Sequence, residues 1–214
     1  MPAGLLKSEL ASTRGHVVRP MSAASVAFSV LRLGAYPIVP WRNGAGVTRE
    51  IACSPVGASA EEFDWRVSIA DVRPSSTFST FAGVDRVILP LDPPPMVLTV
   101  DGTPHELTRH EPFAFDGEAV TSCQVDGGPS RDLNVMTRRG RVSATVEVLG
   151  DAHVEVESAG DGTSLVVLLS GTRAASSPAS PSAIELGELD ALVVSGGVAA
   201  HLSGSGRLAV IRLA

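Results

Sequence analysis

Aromatic residues, cysteines and basic charge are all scarce in this chain, and each scarcity narrows what the protein can be. Only 4% of its 214 residues are Phe, Trp or Tyr, and the formal charge is −6. An acidic chain lacks the basic stripe that nucleic acid demands. No apolar run approaches the roughly 20 residues of a membrane-spanning helix. The N-terminus lacks the basic–apolar–cleavage order of a signal peptide. These absences set the expectation of a cytoplasmic protein that binds neither nucleic acid nor membrane. The two cysteines, Cys53 and Cys123, read as buried thiols, because a cytosolic chain of this size does not need a disulfide.

Chemistry-bearing motifs are missing as well. The histidines (His16, His105, His110, His153 and His201) form neither a His-X-His pair nor HEXXH. His105 and His110 are five positions apart, which on a strand points them to opposite faces. They read as surface histidines on a hairpin, and no metal is expected; were one bound, His105 with Glu111 would be the first candidates. There is no Gly-X-Ser-X-Gly elbow, and neither cysteine has a local histidine to activate it. Gly44-Ala45-Gly46 is followed by no Lys-Ser/Thr pair, so it is not a phosphate loop. No organic cofactor is expected either.

What is present is strand. Val67-Ser68-Ile69, Val146-Glu147-Val148 and Val154-Glu155-Val156 alternate with the period of half-buried strands. Arg86 to Leu91 and Leu165 to Leu169 are continuous runs suited to buried ones. Seven prolines (Pro37, Pro40, Pro74, Pro90 and Pro93 to Pro95) break up the helix candidates, leaving brief curls at Ser59 to Phe63 and Ile184 to Asp190. The chain is all-β. It also repeats: Val87-Ile88-Leu89 matches Val166-Val167-Leu168 (166 − 87 = 79), and Glu106-Leu107 matches Glu185-Leu186 (185 − 106 = 79). A unit of about 80 residues built from short strands has the size of one small sandwich or jelly roll, so two similar barrels are expected. The organisation predicted is a disordered tail over 1–24, with Met21 as an alternative start, a first barrel over 25–140 and a second over 141–214. Ala174 to Pro181 reads as a flexible surface loop.

Polar and aromatic residues gather in three blocks: Pro40 to Ile51, Phe63 to Val72 and Asp132 to Gly140. On the strand around Trp65, the side chains of Trp65, Val67 and Ile69 share one face, and Asp64, Arg66, Ser68 and Ala70 share the other. Arg66 and Ser68 then either face water or line a barrel interior. Further arginines recur at Arg86, Arg131, Arg138 and Arg139 in an acidic chain. Guanidinium groups pair with carboxylates bidentately, so a pocket of arginine, asparagine and aromatic walls suits a small carboxylic acid. No aromatic residue follows Phe115, which assigns the site to the first barrel. The predicted pocket is walled by Trp41, Phe78 and Phe115, with polar contacts from Asn43, Glu50, Arg66, Ser68 and Asn134.

The ordered blocks W-R-N-G-A-G-V-T-R-E-I, F-D-W-R-V-S-I-A-D-V, F-S-T-F-A-G-V-D-R-V-I, F-A-F-D-G-E and D-L-N-V-M-T-R-R-G resemble the HutD/Ves family. The resemblance runs from about Ser29 to the C-terminus, with its specific blocks between 41 and 140. It departs at Ala45, where the family usually has glycine, and at Ser75-Ser76-Thr77, where a glycine commonly precedes the Phe-Ser pair. The resemblance implies a bicupin, two RmlC-like jelly-roll barrels in one chain, associated with histidine utilisation. It further implies a small ligand from histidine breakdown, such as formylglutamate or a related acid, and a role in moderating flux. The first functional reading is therefore a metal-independent carboxylate-binding bicupin. Its rivals are a hydrolase or isomerase with Glu50 as general base and Arg66 holding the substrate, and a ligand-free scaffold; a homodimer is left open.

Overall fold

The computed structural model describes residues 28–41, 46–59, 61–73, 75–93, 95–158 and 160–214. The expected tail over 1–24 and the candidate Asn43 lie outside the described residues. In chain order the strands are β1 (Phe28–Leu31), β2 (Ile38–Pro40), β3 (Gly46–Ser54), β4 (Trp65–Val72), β5 (Ser75–Thr77), β6 (Val84–Pro90), β7 (Met96–Val100), β8 (Thr103–Leu107), β9 (Phe113–Asp116), β10 (Thr121–Val125) and β11 (Ser130–Arg138). A second series follows as β12 (Ala144–Leu149), β13 (His153–Glu157), β14 (Thr163–Leu168), β15 (Thr172–Ser177), β16 (Ser180–Leu186), β17 (Ala191–Ser195), β18 (Ala199–Ser205) and β19 (Leu208–Leu213). Helix among the described residues is one 3-10 turn at Leu33–Ala35.

The repeat seen in the sequence is a repeat of topology. In the first barrel a large sheet contains the order β4-β11-β6-β9 and a small one the order β5-β10-β7-β8; the second barrel has β12-β19-β14-β17 and β13-β18-β15-β16. Each order maps onto the other strand for strand, and every pairing is antiparallel. This is a bicupin. β3 and β2 extend the first large sheet beyond β4, and β1 extends the second beyond β17. Phe28–Leu31 thus runs with the second barrel rather than the one it precedes in sequence, facing Val194–Ala191. Its alternation explains this: Phe28 and Val30 pack into the second barrel's core, and Leu31 packs into the layer between barrels.

That layer is the largest hydrophobic cluster. Val67, Ile69, Leu133 and Val135 from the first large sheet meet Leu165, Val167, Ala209 and Ile211 from the second. The opposite faces of the same strands fill the two barrel interiors. Both faces of the central strands are therefore buried, which is why β6 and β14 read as continuous apolar runs. Two expectations are corrected. Ala174 to Pro181 is no loop but the hairpin of β15 and β16. Its small residues suit a narrow barrel end, where Arg173, Ala175 and Ser177 are buried and the Ser180 amide donates to Ser177 Oγ at 3.0 Å. Ile184 to Leu186 belongs to β16 rather than to a curl.

The shared layer makes the barrels one folding unit. Leu133, 1% exposed at the centre of that layer, should lose about 2–5 kcal/mol of stability when cut to alanine. Urea unfolding followed by tryptophan fluorescence, from Trp41 inside the first barrel and Trp65 at the shared layer, and by far-UV circular dichroism should give coincident transitions in wild type and variant. Two separated transitions would show that the barrels unfold independently.

Candidate functional site

The inward face of the first large sheet is polar where an apolar one would be expected. Strand pairing aligns its rows. Glu50 lies opposite Ser68, Ser68 opposite Asn134, and Asn134 opposite Ile88. In the next row Cys53, Arg66, Met136, Arg86 and Phe115 follow one another across five strands. A bulge between Glu50 and Ala52 turns Glu50 and Cys53 to the same face although they are three apart. Without it one of them would point at the second barrel.

Arg66 and Ser68 do line the interior. Arg66 Nη2 is 2.7 Å from Glu50 Oε2, and its guanidinium lies 5.5 Å from the Phe63 ring centroid. The Cys53 thiol donates to Glu50 Oε1 at 3.4 Å. Burial, and then the Glu50 charge, push that thiol upward, so it stays protonated and is a poor nucleophile. Trp41, Phe78 and Phe115 converge as expected. Trp41 meets Phe78 edge-on at 6.1 Å and donates from its indole to Thr48 Oγ1 at 2.8 Å. Gly46 permits this, because a Cβ there would run into the Asp71 carbonyl and the Trp41 ring.

At the centre sits Arg86, which the sequence reading placed among the arginines but not in the pocket. It is 5% exposed, with its guanidinium 5.0, 5.8 and 4.9 Å from the rings of Phe78, Phe81 and Phe115. Its Nη2 donates to Asn134 Oδ1 at 2.6 Å, and the Asn134 amide donates in turn to Asp132 Oδ1. Arg86 Nη1 also donates to the Ser79 carbonyl at 3.4 Å, while Arg86 Nε and Asp132 Oδ2 have no hydrogen-bond partner among the described residues. Burial lowers Arg86 to about 10 against the opposing pull of Asp132. Burial raises the fully enclosed Asp132 to about 7, with Arg86 and Asn134 resisting. Asp132 was also missed. Its signal was the two-residue period, since Asp132 and Asn134 share a face on β11; for Arg86 the signal was a charge inside an apolar run.

The other arginines serve structure. Arg138 donates to the carbonyls of Glu61, Phe63 and Ala82. Arg131 grips Asp92 with two nitrogens, and Arg139 neutralises Asp85 and Asp116. His105 packs against Phe113 at 4.8 Å. His110 is not the surface residue expected. It is buried at a left-handed turn, φ 64°, and desolvation followed by the Arg109 charge lowers it to about 4. Among the described residues no three His, Cys, Asp or Glu gather as metal ligands would. Both cysteines are free and buried, and no helix of the described residues is long and apolar enough to cross a membrane.

Matching the barrels by strand pairing shows what the second one lacks. The constant offset slips on the two strands that carry the charge chain. Ser164 takes the place of Arg86 (164 − 86 = 78), and Leu208 and Val210 take those of Asp132 and Asn134 (208 − 132 = 76). The buried Arg86–Asn134–Asp132 chain therefore has no counterpart among the described residues of the second barrel, where Arg212 on the same parity is partly exposed and pairs with Glu147 at 2.8 Å.

Comparison with known proteins agrees with this architecture. The HutD family profile matches residues 34–211. Protein Ves of Citrobacter koseri is 46% identical over 114 residues, 52% of this chain, and the match spans 59% of that protein's length. An uncharacterised 21.2 kDa protein from the hutC 3′ region of Pseudomonas putida is 40% identical over 149 residues, 61% of this chain and 78% of that one. The structure of HutD from Pseudomonas fluorescens SBW25, solved in a formate condition, is 36% identical with a TM-score of 0.74, covering 87% of this chain and 98% of the other.

Asp132 makes stability depend on pH in a defined direction. Its folded value of about 7 lies above the ordinary 3.9, so between those values the folded protein holds the extra proton. Its contribution to stability should fall as pH rises from about 4 to about 7, by up to about 1.4 kcal/mol per unit, and level off outside that window. Urea unfolding across this range should show the slope in wild type and its loss in Asp132→Asn. An unchanged slope would place the titration on another group.

Proposed function

The chain belongs to the HutD family, and from that premise we propose that its first barrel binds a small carboxylate within histidine utilisation, as a cytoplasmic binding protein rather than an enzyme. Formylglutamate or a related acid is the ligand class. The observation that carries the proposal is Arg86: a buried guanidinium whose direct side-chain partner is a neutral amide, with Nε unmatched and three aromatic rings around it. A buried charge without a directly bonded counter-ion is costly, and a ligand carboxylate would supply that ion. Arg66 provides a second cation on the same row, two strands away, or about 10 Å at the usual strand spacing. Its partner Glu50 can be exchanged for a ligand anion, so an acid with two polar ends suits the barrel. The name of the Pseudomonas putida relative, which refers to hutC, supports the pathway. The alternative with Glu50 as general base loses support from its engagement on both oxygens, by Arg66 and by Cys53.

A thermal-shift screen of histidine-pathway acids tests the reading, since a ligand that binds only the folded state raises its stability. Calorimetry with an acid that scores should then show Arg86→Lys and Arg66→Lys binding about tenfold to hundredfold more weakly, or about 1.5–3 kcal/mol. Lysine keeps the charge but loses the planar fork. Equal affinities in both variants would remove the site from this barrel, and NMR detection of turnover would favour the enzyme.

A further inference from the structure

We infer that the first barrel takes up its acid together with one proton, and that Asp132 receives it. This rests on the anion-binding reading above and adds how that site is regulated. Asp132 is 0% exposed. One of its oxygens accepts from the Asn134 amide, and the other meets no donor. The groups around it are few. On β6 there is Arg86, linked to it through Asn134. On β10 there is Cys123, a thiol pushed up to about 12 by burial and then by the charge of Asp132 itself. On β4 there is Ala70 directly opposite, while Asp71 beside it pairs with Arg49 at 3.1 Å. On its own strand Ser130 is neutral and has no partner for its hydroxyl.

Arg86 is thus the one cation among the described residues that offsets Asp132 inside the barrel. An anion seated on Arg86 sets a second negative charge against the same guanidinium, where little solvent screens the repulsion. The cheaper outcome is for Asp132 to take a proton from solvent onto its unpartnered oxygen. One ligand carboxylate and one proton arrive at Arg86, the Asp132 carboxylate becomes a carboxylic acid, and the net charge around Arg86 is unchanged. Burial already holds Asp132 near neutrality, so the proton is gained at ordinary pH.

Calorimetric titration with N-formyl-L-glutamate, and with glutarate as a second probe, tests this at pH 8 in HEPES and in Tris, whose ionisation enthalpies differ. The wild type should give heats that depend on the buffer, corresponding to uptake of up to one proton. Its affinity should fall by up to about tenfold per pH unit above pH 7. In Asp132→Asn the heats should agree between buffers and the pH slope should flatten; Asp132→Ser serves if the asparagine variant does not fold. Buffer-independent heats in wild type, or equal proton uptake in the variants, would overturn the inference while leaving acid binding intact. If neither probe gives heat or a thermal shift, the anion-binding reading fails first and this inference with it.

Discussion

The layer of aliphatic side chains between the two large sheets constrains everything else in this molecule. Because Val67, Ile69, Leu133 and Val135 are committed to the second barrel, the central parts of strands β4, β6 and β11 have no solvent-facing side. A polar residue on them points into the first barrel or faces an apolar wall. Arg66, Ser68, Arg86, Asp132 and Asn134 lie on the inward parity and find polar partners there, whereas Asp71, Asp85 and Arg131 on the outward parity sit toward the strand ends in ion pairs. A conventional half-exposed sheet would have sent the same residues to water.

Duplication followed by divergence accounts for the difference between the barrels. The strand orders are the same, yet the second barrel fills the equivalent inward positions with Ser164, Leu208 and Val210. Its one buried arginine, Arg173, donates to the backbone carbonyls of Gly206 at 2.7 Å and Ala152 at 3.3 Å, so it closes structure rather than a site. The first barrel keeps a buried cation and a buried carboxylate separated by an amide. Such an arrangement stabilises the fold little, and the described residues of the second barrel hold no counterpart to it.

The two inward arginines differ in how they are held. Arg86 is fixed by rings and by Asn134, and Asn134 is fixed by Asp132. Arg66 is held by an ion pair with Glu50 at 2.7 Å. Under the carboxylate-binding proposal, a rigid anchor beside an exchangeable pair suits a molecule with two polar ends, since only one of the cations must reorganise.

The all-β class, the two barrels and the repeat were legible in the sequence, as was the shared placement of several predicted site residues, because period-two alternation and residue scarcity are local properties. Alternation put Arg66 and Ser68 on one face, and the aromatic residues clustered where Trp41, Phe78 and Phe115 now converge. Alternation alone left open whether that face met water or a barrel interior, since this depends on the second barrel covering the other side. Nor did it reveal that a bulge turns Cys53 toward Glu50, that β1 joins the far barrel, or that the repeat slips on β14 and β19. The central roles of Arg86 and Asp132 were decided by tertiary structure for the same reason. Each is an ordinary charged residue in sequence, and only the closing of one sheet over another removes its water and makes its few polar neighbours matter.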